Sequence, residues 1–307
     1  MHSPASCEQN YIQIFKMKLT CVTATFNCIK AGNRDRLIRC VESVAKLKTE
    51  HEHLIYDGAS TDGTAELLRE LEAKTPGLKV VSEPDTGIYN ALNKGVRDAK
   101  GEWFYVIGAD DQIIQPKVMD DILCSIDCDM IIAPVKWAHG IRDVSVHDIF
   151  FNTPYCHQGV ITKTKVLREY VGGFDERFKI CADYDQMLKL HKAGCKVSYT
   201  NAIFACFGDD GLSSTNRKAL LDDLNKVRNA NFGFNEVEGE KIIKKRRLPW
   251  RLIIRYYNHK DYALRYVSRA MAIENIKDLL RIAFWPLVLS RRKIRAYRKG
   301  KGKGQLK

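Results

Sequence analysis

The ten cysteines contain no C-x-x-C pair and follow no repeated spacing. Cys124 and Cys128 stand four apart on an expected helix, but no His-x₃₋₅-His pair accompanies them, so a structural zinc site lacks its ligands. Free thiols in a reducing compartment fit this pattern better than a disulfide-stapled scaffold. A membrane-spanning helix needs about 20 apolar residues, and the run Ile282–Ser290 (IAFWPLVLS) falls well short. Met1–Lys16 has no apolar core of the signal-peptide kind and is set aside from the fold as a leader. Glycine-rich phosphate loops are missing as well. No G-x-G-x-x-G occurs, and no glycine loop ends in Gly-Lys-Ser/Thr. Those absences withdraw support from NAD-dependent dehydrogenases and P-loop ATPases.

What is present is a globular composition, 45% apolar and 28% charged over 307 residues, enough for one large α/β domain or two smaller ones. The net charge of +13 is uneven. Glu236–Lys307 holds 21 basic and 6 acidic residues, whereas the first 235 residues hold 29 and 31. A layout follows from this: a leader (1–16), a first half (17–115), a second half of the same domain (116–235) and a basic C-terminal extension (236–307).

Hydrophobic periodicity predicts alternating strands and helices. Strands are expected at Lys18–Thr25, His53–Tyr56, Leu78–Ser82 and Trp103–Ile107. Between them, helices are expected from Asn33 (as cap) to about Lys48, over Thr64–Lys74, and from Ile88 to Ala99. Such alternation implies right-handed βαβ units and a mostly parallel sheet, with the ligand beyond the carboxyl ends of the strands. Four consecutive strand ends deliver Thr25/Asn27, Asp57, Glu83/Asp85 and Asp110/Asp111 to that edge. In the second half, a strand is expected over Met130–Trp137, short helices over Thr164–Val171 and Asp183–Ala193, and an extended run over Lys196–Phe207.

Each motif carries a functional and a structural reading. Asp110-Asp111 can hold a hard divalent cation, which takes oxygen ligands, or can simply open a helix. In Asp57-Gly-Ala-Ser-Thr-Asp-Gly-Thr64, Asp57 can accept hydrogen bonds from a base or ribose, while Asp62 suits a helix cap. Lys94 is in position to meet a diphosphate or to stay solvated. Asp183 falls at a helix start, where it can cap or, kept ionised by the helix dipole, act as a base. His157-Gln158 can serve an acceptor or be a satisfied buried pair.

At these motifs the chain resembles the family 2 glycosyltransferases, inverting enzymes with the GT-A fold, from Lys18 to Ser213. Thr23-Ala-Thr-Phe-Asn27, the Asp57–Thr64 loop, Glu83-Pro-Asp-Thr-Gly-Ile-Tyr-Asn-Ala-Leu-Asn-Lys-Gly95, Gly108-Ala-Asp-Asp111, and Gly173-Phe-Asp175 with Ala182-Asp183 occur in that family's order. The nearest resemblance is to bacterial polysaccharide-assembly members of the colanic-acid type. It implies a Rossmann-like, mostly parallel sheet flanked by helices. It also implies that Thr23, Thr25, Asn27, Asp57 and Asp85 line the nucleotide, with Asn93 and Lys94 on the donor. Asp111, helped by Asp110, holds Mg²⁺ or Mn²⁺, and Asp183 is the general base. Gly108 stands where many members carry another acid, and Asn90 replaces a usual Asp. No Q-x-x-R-W motif of processive synthases occurs, which points to single sugar transfer.

The expectation is therefore a metal-dependent inverting glycosyltransferase that moves one sugar from a nucleotide-sugar donor to a glycan or lipid-linked acceptor in surface polysaccharide assembly. The alternative is a non-catalytic nucleotide-sugar or lipid binder of the same fold. A nucleotidyltransferase would want a glycine-rich, basic loop at Phe26-Asn-Cys-Ile, which is not there. In the mainly helical extension, Lys244-Lys-Arg-Arg247 and Arg291-Arg-Lys293 flank apolar and aromatic residues. That suits an anionic membrane surface, and with it a cytoplasmic protein peripheral on the inner face. A solvated helical tail is the plainer reading, and nucleic acid is disfavoured because no recognised binding module accompanies the charge.

Overall fold

The computed structural model describes residues 18–208, 216–234, 248–261 and 263–277. The expected leader, Lys244–Arg247 and the basic end beyond 277 lie outside these residues.

The first half follows the expected alternation: β1 (Leu19–Thr25), α1 (Arg34–Ala45), β2 (His51–Asp57), α2 (Thr64–Lys74), β3 (Leu78–Ser82), α3 (Ile88–Asp98) and β4 (Trp103–Val106). Asn33 precedes α1, but its side chain makes no capping bond. The second half contains β5 (Gln112–Ile113), α4 (Pro116–Ser125), β6 (Met130–Ile132), β7 (Val135–Trp137), β8 (Gly140–Arg142) and β9 (Val160–Lys163). After β9, the single turn α5 (Thr164–Val166) runs into a π-helical turn, Leu167–Val171. Then come α6 (Ala182–Ala193), β10 (Val197–Tyr199), β11 (Ala205–Cys206), α7 (Arg217–Phe232) and α8 (Trp250–Tyr256). A further helix, α9, covers 263–277.

Seven strands form one sheet in the order β10-β6-β9-β4-β1-β2-β3, and β5-β11-β7-β8 form a smaller one. In the large sheet only β9 runs against its neighbours β4 and β6. The central strand β1 is buried on both faces, as βαβ crossovers require. Leu19 and Cys21 pack with Cys40 and Val44 of α1, while Val22 faces Leu92 and Val96 of α3. A third cluster joins Leu37, Val41, Ile55 and Leu68 between α1, α2 and β2.

Two expected strands divide. Met130–Trp137 breaks at Ala133-Pro134, because proline has no N–H to give the ladder, and its halves enter different sheets. Lys196–Phe207 likewise splits into β10 and β11, one in each sheet. Cys128 lies past the end of α4 at Ser125, off the helix expected to carry it with Cys124, and is buried in the core.

The described part of the basic extension is continuous with the second half. Leu248, Leu252, Ile253, Tyr256, Leu264 and Val267 are buried in the same cluster as Phe150, Tyr184 and Phe232. A buried chain of polar contacts reinforces this union: Tyr155 Oη meets His191 Nε2 at 2.8 Å, and His191 Nδ1 meets Asp261 at 2.8 Å. Asp261 also accepts the Leu264 N–H at 2.9 Å, capping α9. Leu264→Ala is therefore expected to cost about 2–5 kcal/mol in urea unfolding of the whole chain, as in a primary core. A loss below about 1 kcal/mol would mean that the extension folds apart from the domain.

Candidate functional site

The register of the sheet builds the first part of the site. Thr25 pairs with Asp57 and Asp57 with Ser82, so three strand ends set these side chains abreast. The buried Asp57 carboxylate takes four donors: Thr25 Oγ1 (3.1 Å) and Ser60 Oγ on Oδ1, Ser60 N–H (2.9 Å) and Ser82 Oγ (2.7 Å) on Oδ2. Its lone pairs are thus occupied from within. Asp57 shapes the edge on which the expected base or ribose would lie.

The loops after β1 and β2 lock together. Asn27 N–H donates to Ser60 Oγ at 2.7 Å, and Asn27 Oδ1 accepts from Thr61 N–H at 3.0 Å. Asn27 and Ala59 both hold left-handed backbone (φ 47 and 57), a strained state that persists only where surroundings enforce it. Asp85 lies against this pair of loops: a Cβ on Gly58 would stand 2.9 Å from Asp85 Oδ2 and 3.2 Å from the Phe26 ring. Phe26 is 64% exposed, a large aromatic face presented at the strand edge. Phe26 is not among the expected site residues, although an aromatic in the loop just past a strand is a signal the sequence carries.

Asp62 serves α2 and the first loop. It accepts from Thr64 N–H at 3.1 Å and from Lys30 N–H at 2.7 Å. These bonds, with the Thr64 hydroxyl, outweigh its slight desolvation and hold its carboxyl below the usual range.

Three further expected donor residues make contacts within the protein. Thr23 sits mid-strand, fully buried, with its hydroxyl donating to Ile107 O (2.8 Å) and meeting His53 Nε2 (2.9 Å). Asn93 clamps the acceptor-side loop instead, donating to Phe174 O and Glu176 and accepting from Phe174 N–H at 2.7 Å. Gly173 allows this closeness, since a Cβ there would stand 2.5 Å from Asn93 Oδ1 and φ is +88. Lys94 pairs with Glu83, just past the end of β3, at 2.7 Å.

After β4 the two acids separate in environment. Asp111 is buried, with Gly108 N–H on Oδ2 and Gly208 N–H on Oδ1, each at 2.8 Å, and the Gln158 side chain also bonds it. Burial, and then the charge of Asp110, push its carboxyl up to about 7. Asp110 is half-buried, and a Cβ on Gly208 would collide with its carboxylate, so it reaches across the start of that loop. Asp110 also lies in electrostatic reach of Cys28, as does Asp57. Among the described residues no three His, Cys, Asp or Glu side chains gather as a metal cage. Two adjacent carboxylates fit a divalent ion that takes its remaining oxygens from a diphosphate and water.

Asp183 stands in the first turn of α6, Oδ1 accepting from Tyr184 N–H at 2.8 Å and lying 3.4 Å from Tyr89 Oη. The segment leading into the helix is held by Asp223 of α7, which accepts from Ile180 and Cys181 N–H at 2.8 and 3.0 Å. Asp183 itself accepts one first-turn N–H, that of Tyr184, through Oδ1. Burial raises its carboxyl above the usual range, opposed by His157, the Tyr184 N–H, Arg142 and Tyr89. Cys156 links the two regions: its thiol, pushed up to about 11 chiefly by burial, senses both Asp111 and Asp183.

A pH dependence follows from Asp111. Its folded carboxyl titrates near 7, against about 3.9 in an unfolded chain. The folded state therefore holds a proton that unfolding releases between those values, and Asp111 supports stability fully only below the lower one. Stability of the metal-free protein is expected to fall as pH rises from about 4 to about 7, and Asp111→Asn to flatten that slope in urea titrations. An unchanged slope would remove the burial assigned to this group.

Residues 20–120 match the family model described as Glycosyl transferase family 2. A PGL/p-HBAD biosynthesis glycosyltransferase of Mycobacterium bovis is 26% identical over 192 residues, 57% of this chain and 73% of that protein. Chondroitin synthase of Escherichia coli is 27% identical over 182 residues, 55% of this chain and 26% of that longer protein. Among solved structures, S. aureus TarS in complex with UDP-GlcNAc overlays with a TM-score of 0.58 at 18% identity, covering 75% of this chain and 71% of that one. The mannosyltransferase PcManGT from Pyrobaculum calidifontis, in complex with GDP-Man and Mn2+, also gives 0.58, at 17% identity over 92% of this chain and 82% of that one. The mostly parallel seven-stranded sheet flanked by helices is the arrangement these neighbours share.

Proposed function

We propose that this chain, which carries a family 2 glycosyltransferase domain on a GT-A fold and is a glycosyltransferase, moves one sugar from a nucleoside-diphosphate donor to a glycan or lipid-linked acceptor with inversion. The observation that carries the reading is the convergence of acids along one sheet edge. Cys28 senses Asp57 and Asp110, and Cys156 senses Asp111 and Asp183, so the donor-side and acceptor-side carboxylates border a common region. Neighbours of this fold were solved with UDP-GlcNAc, and with GDP-Man and Mn2+, which supports a sugar nucleotide here.

The residues divide the work. Asp57 holds the two loops on which Phe26 and Asp85 stand, leaving the Phe26 ring to stack a base and Asp85 to accept from a ribose. Asp110, half-buried where Asp111 is fully buried, would be the better ligand for Mg²⁺ or Mn²⁺, with Asp111 held beside it by the Gly108 and Gly208 amides. A divalent ion bound there offsets the charge that grows on the departing diphosphate. Asp183, its carboxyl raised toward neutrality by burial, takes the acceptor hydroxyl proton as that oxygen attacks the anomeric carbon. The bond to the diphosphate oxygen breaks on the opposite face, and the electron pair leaves with the nucleotide.

The described helices support a place at an anionic membrane surface for assembly of a surface polysaccharide. Tyr266, Arg269, Ile273 and Ile276 fall on the outer face of α9, and Arg251, Ile254 and Arg255 are exposed on α8. No described helix is long and apolar enough to cross a membrane. Ile273→Asp with Ile276→Asp is expected to lower co-sedimentation with phosphatidylglycerol vesicles severalfold. Equal binding by the double variant would remove this surface from the reading.

The function itself is tested by screening UDP-, GDP- and dTDP-sugars with Mn²⁺ for thermal stabilisation, then for donor hydrolysis. A donor at 100 times its Kd adds about 2.7 kcal/mol. Asp183→Asn is expected to lower turnover by about 10²–10⁴-fold while donor stabilisation persists, and Asp110→Ala to remove the Mn²⁺ dependence. Wild-type turnover in folded Asp183→Asn would overturn the assignment of the base.

A further inference from the structure

β9 alone runs antiparallel in the large sheet, so it begins at the edge where β1, β2 and β4 end. The turn that feeds it, His157–Gly159, therefore lies beside the residues just after β4. Its placement is enforced by close backbone packing. Ala133 N–H donates to Gly159 O at 2.9 Å, and a Cβ on Gly159 would collide with the Ala133 carbonyl. From below, Tyr105 Oη donates to Gln158 O at 2.9 Å.

Successive side chains of this rigid turn point to opposite sides of the site. Gln158 accepts from Cys156 Sγ at 2.8 Å through Oε1, and its side chain bonds Asp111. His157 turns toward α6 instead. Its Nε2 lies 3.4 Å from Gln186 Oε1, one helical turn beyond Asp183 and on the same face, and its ring packs on Phe174 at 5.7 Å. Phe174 in turn stacks on Tyr89, the residue whose hydroxyl borders Asp183.

We propose that the turn Cys156–Gly159 is a crosspiece that sets the separation of donor-side and acceptor-side acids, with His157 the positioning residue for Asp183 and Gln158 that for Asp111. The inference rests on the reading of Asp183 as the base. His157 takes no net proton in the reaction. It holds the Asp183 carboxylate where the acceptor hydroxyl arrives and favours its ionised form. The charged or titratable side chains facing Asp183 are His157, Arg142, Tyr89, Cys156 and Cys181, and His157 in turn faces Asp183.

Two measurements on the full chain test this. In Mn²⁺-dependent hydrolysis of the sugar nucleotide selected by the donor screen, His157→Gln is expected to lower kcat by up to about 100-fold with donor KM within twofold. It also moves the acid limb of the pH profile to higher pH, because the group favouring ionised Asp183 is gone. Gln158→Ala is expected to raise donor KM severalfold and leave that limb in place. One shared phenotype, or an unmoved limb in His157→Gln, overturns the proposal. Crystal structures of wild type and His157→Gln decide it without turnover: the Asp183 carboxylate should shift by about 1 Å or change rotamer while the α6 backbone stays, and an unmoved carboxylate overturns it. His157→Asn replaces the variant if it does not fold. A wild type that hydrolyses no donor sinks the transferase mechanism, and the crystallographic comparison still judges the crosspiece.

Discussion

The register of three parallel strands is the constraint on which the site depends. Because Thr25, Asp57 and Ser82 end their strands abreast, one carboxylate can collect hydroxyl donors from both neighbouring strands and two more from Ser60. Burying a carboxylate is costly unless charge-assisted hydrogen bonds replace its water. Here they do so completely, and the geometry they require bends the loop through Ala59 and locks Asn27 to Thr61. A slip of one residue in β2 would turn Asp57 to the other face of the sheet and dissolve this hub. Asp57 thus holds together the loops that border this edge.

The opposite end depends on the one strand that breaks the parallel pattern. Had β9 run parallel, its preceding turn would lie at the far edge, beneath the sheet and away from every acid named above. Running against β4, it returns the chain to the ligand edge. It carries Gln158 to Asp111, and His157 to the turn of α6 that bears Asp183. The donor half and the acceptor half are joined by this reversal as much as by their common core.

The first four strands and their helices were legible because each carries its period in full. β3 and α2 match their expected bounds, and the acids fall where strand ends put them. What was not legible was contact. Thr23 and Thr25 are two residues apart on one strand and share a face, yet the hydroxyl of Thr23 closes on Ile107 beneath the edge while that of Thr25 reaches Asp57 at it. Asp110 and Asp111 are chemically identical in sequence, and only the amides of Gly108 and Gly208 decide which one is buried. The second half was less legible because its strands have two to four residues, too short to show a period, and Pro134 cuts one apparent strand into members of two sheets.

The charge boundary near Glu236 misleads for a related reason. Net charge describes the outer face of a helix and says nothing of its inner one. In α9, Ala263, Leu264, Val267 and Ala272 point inward at helical spacing, and Tyr266, Arg269, Ile273 and Ile276 recur at the complementary spacing outward. One helix can therefore belong to the domain's core and still present a basic, apolar surface. Asp261 joins those two properties: it caps α9 through Leu264 and meets the buried His191 on α6, about two helical turns beyond Asp183. The outer face of α9 is thus carried on a helix tied by a buried hydrogen bond to the one that bears Asp183.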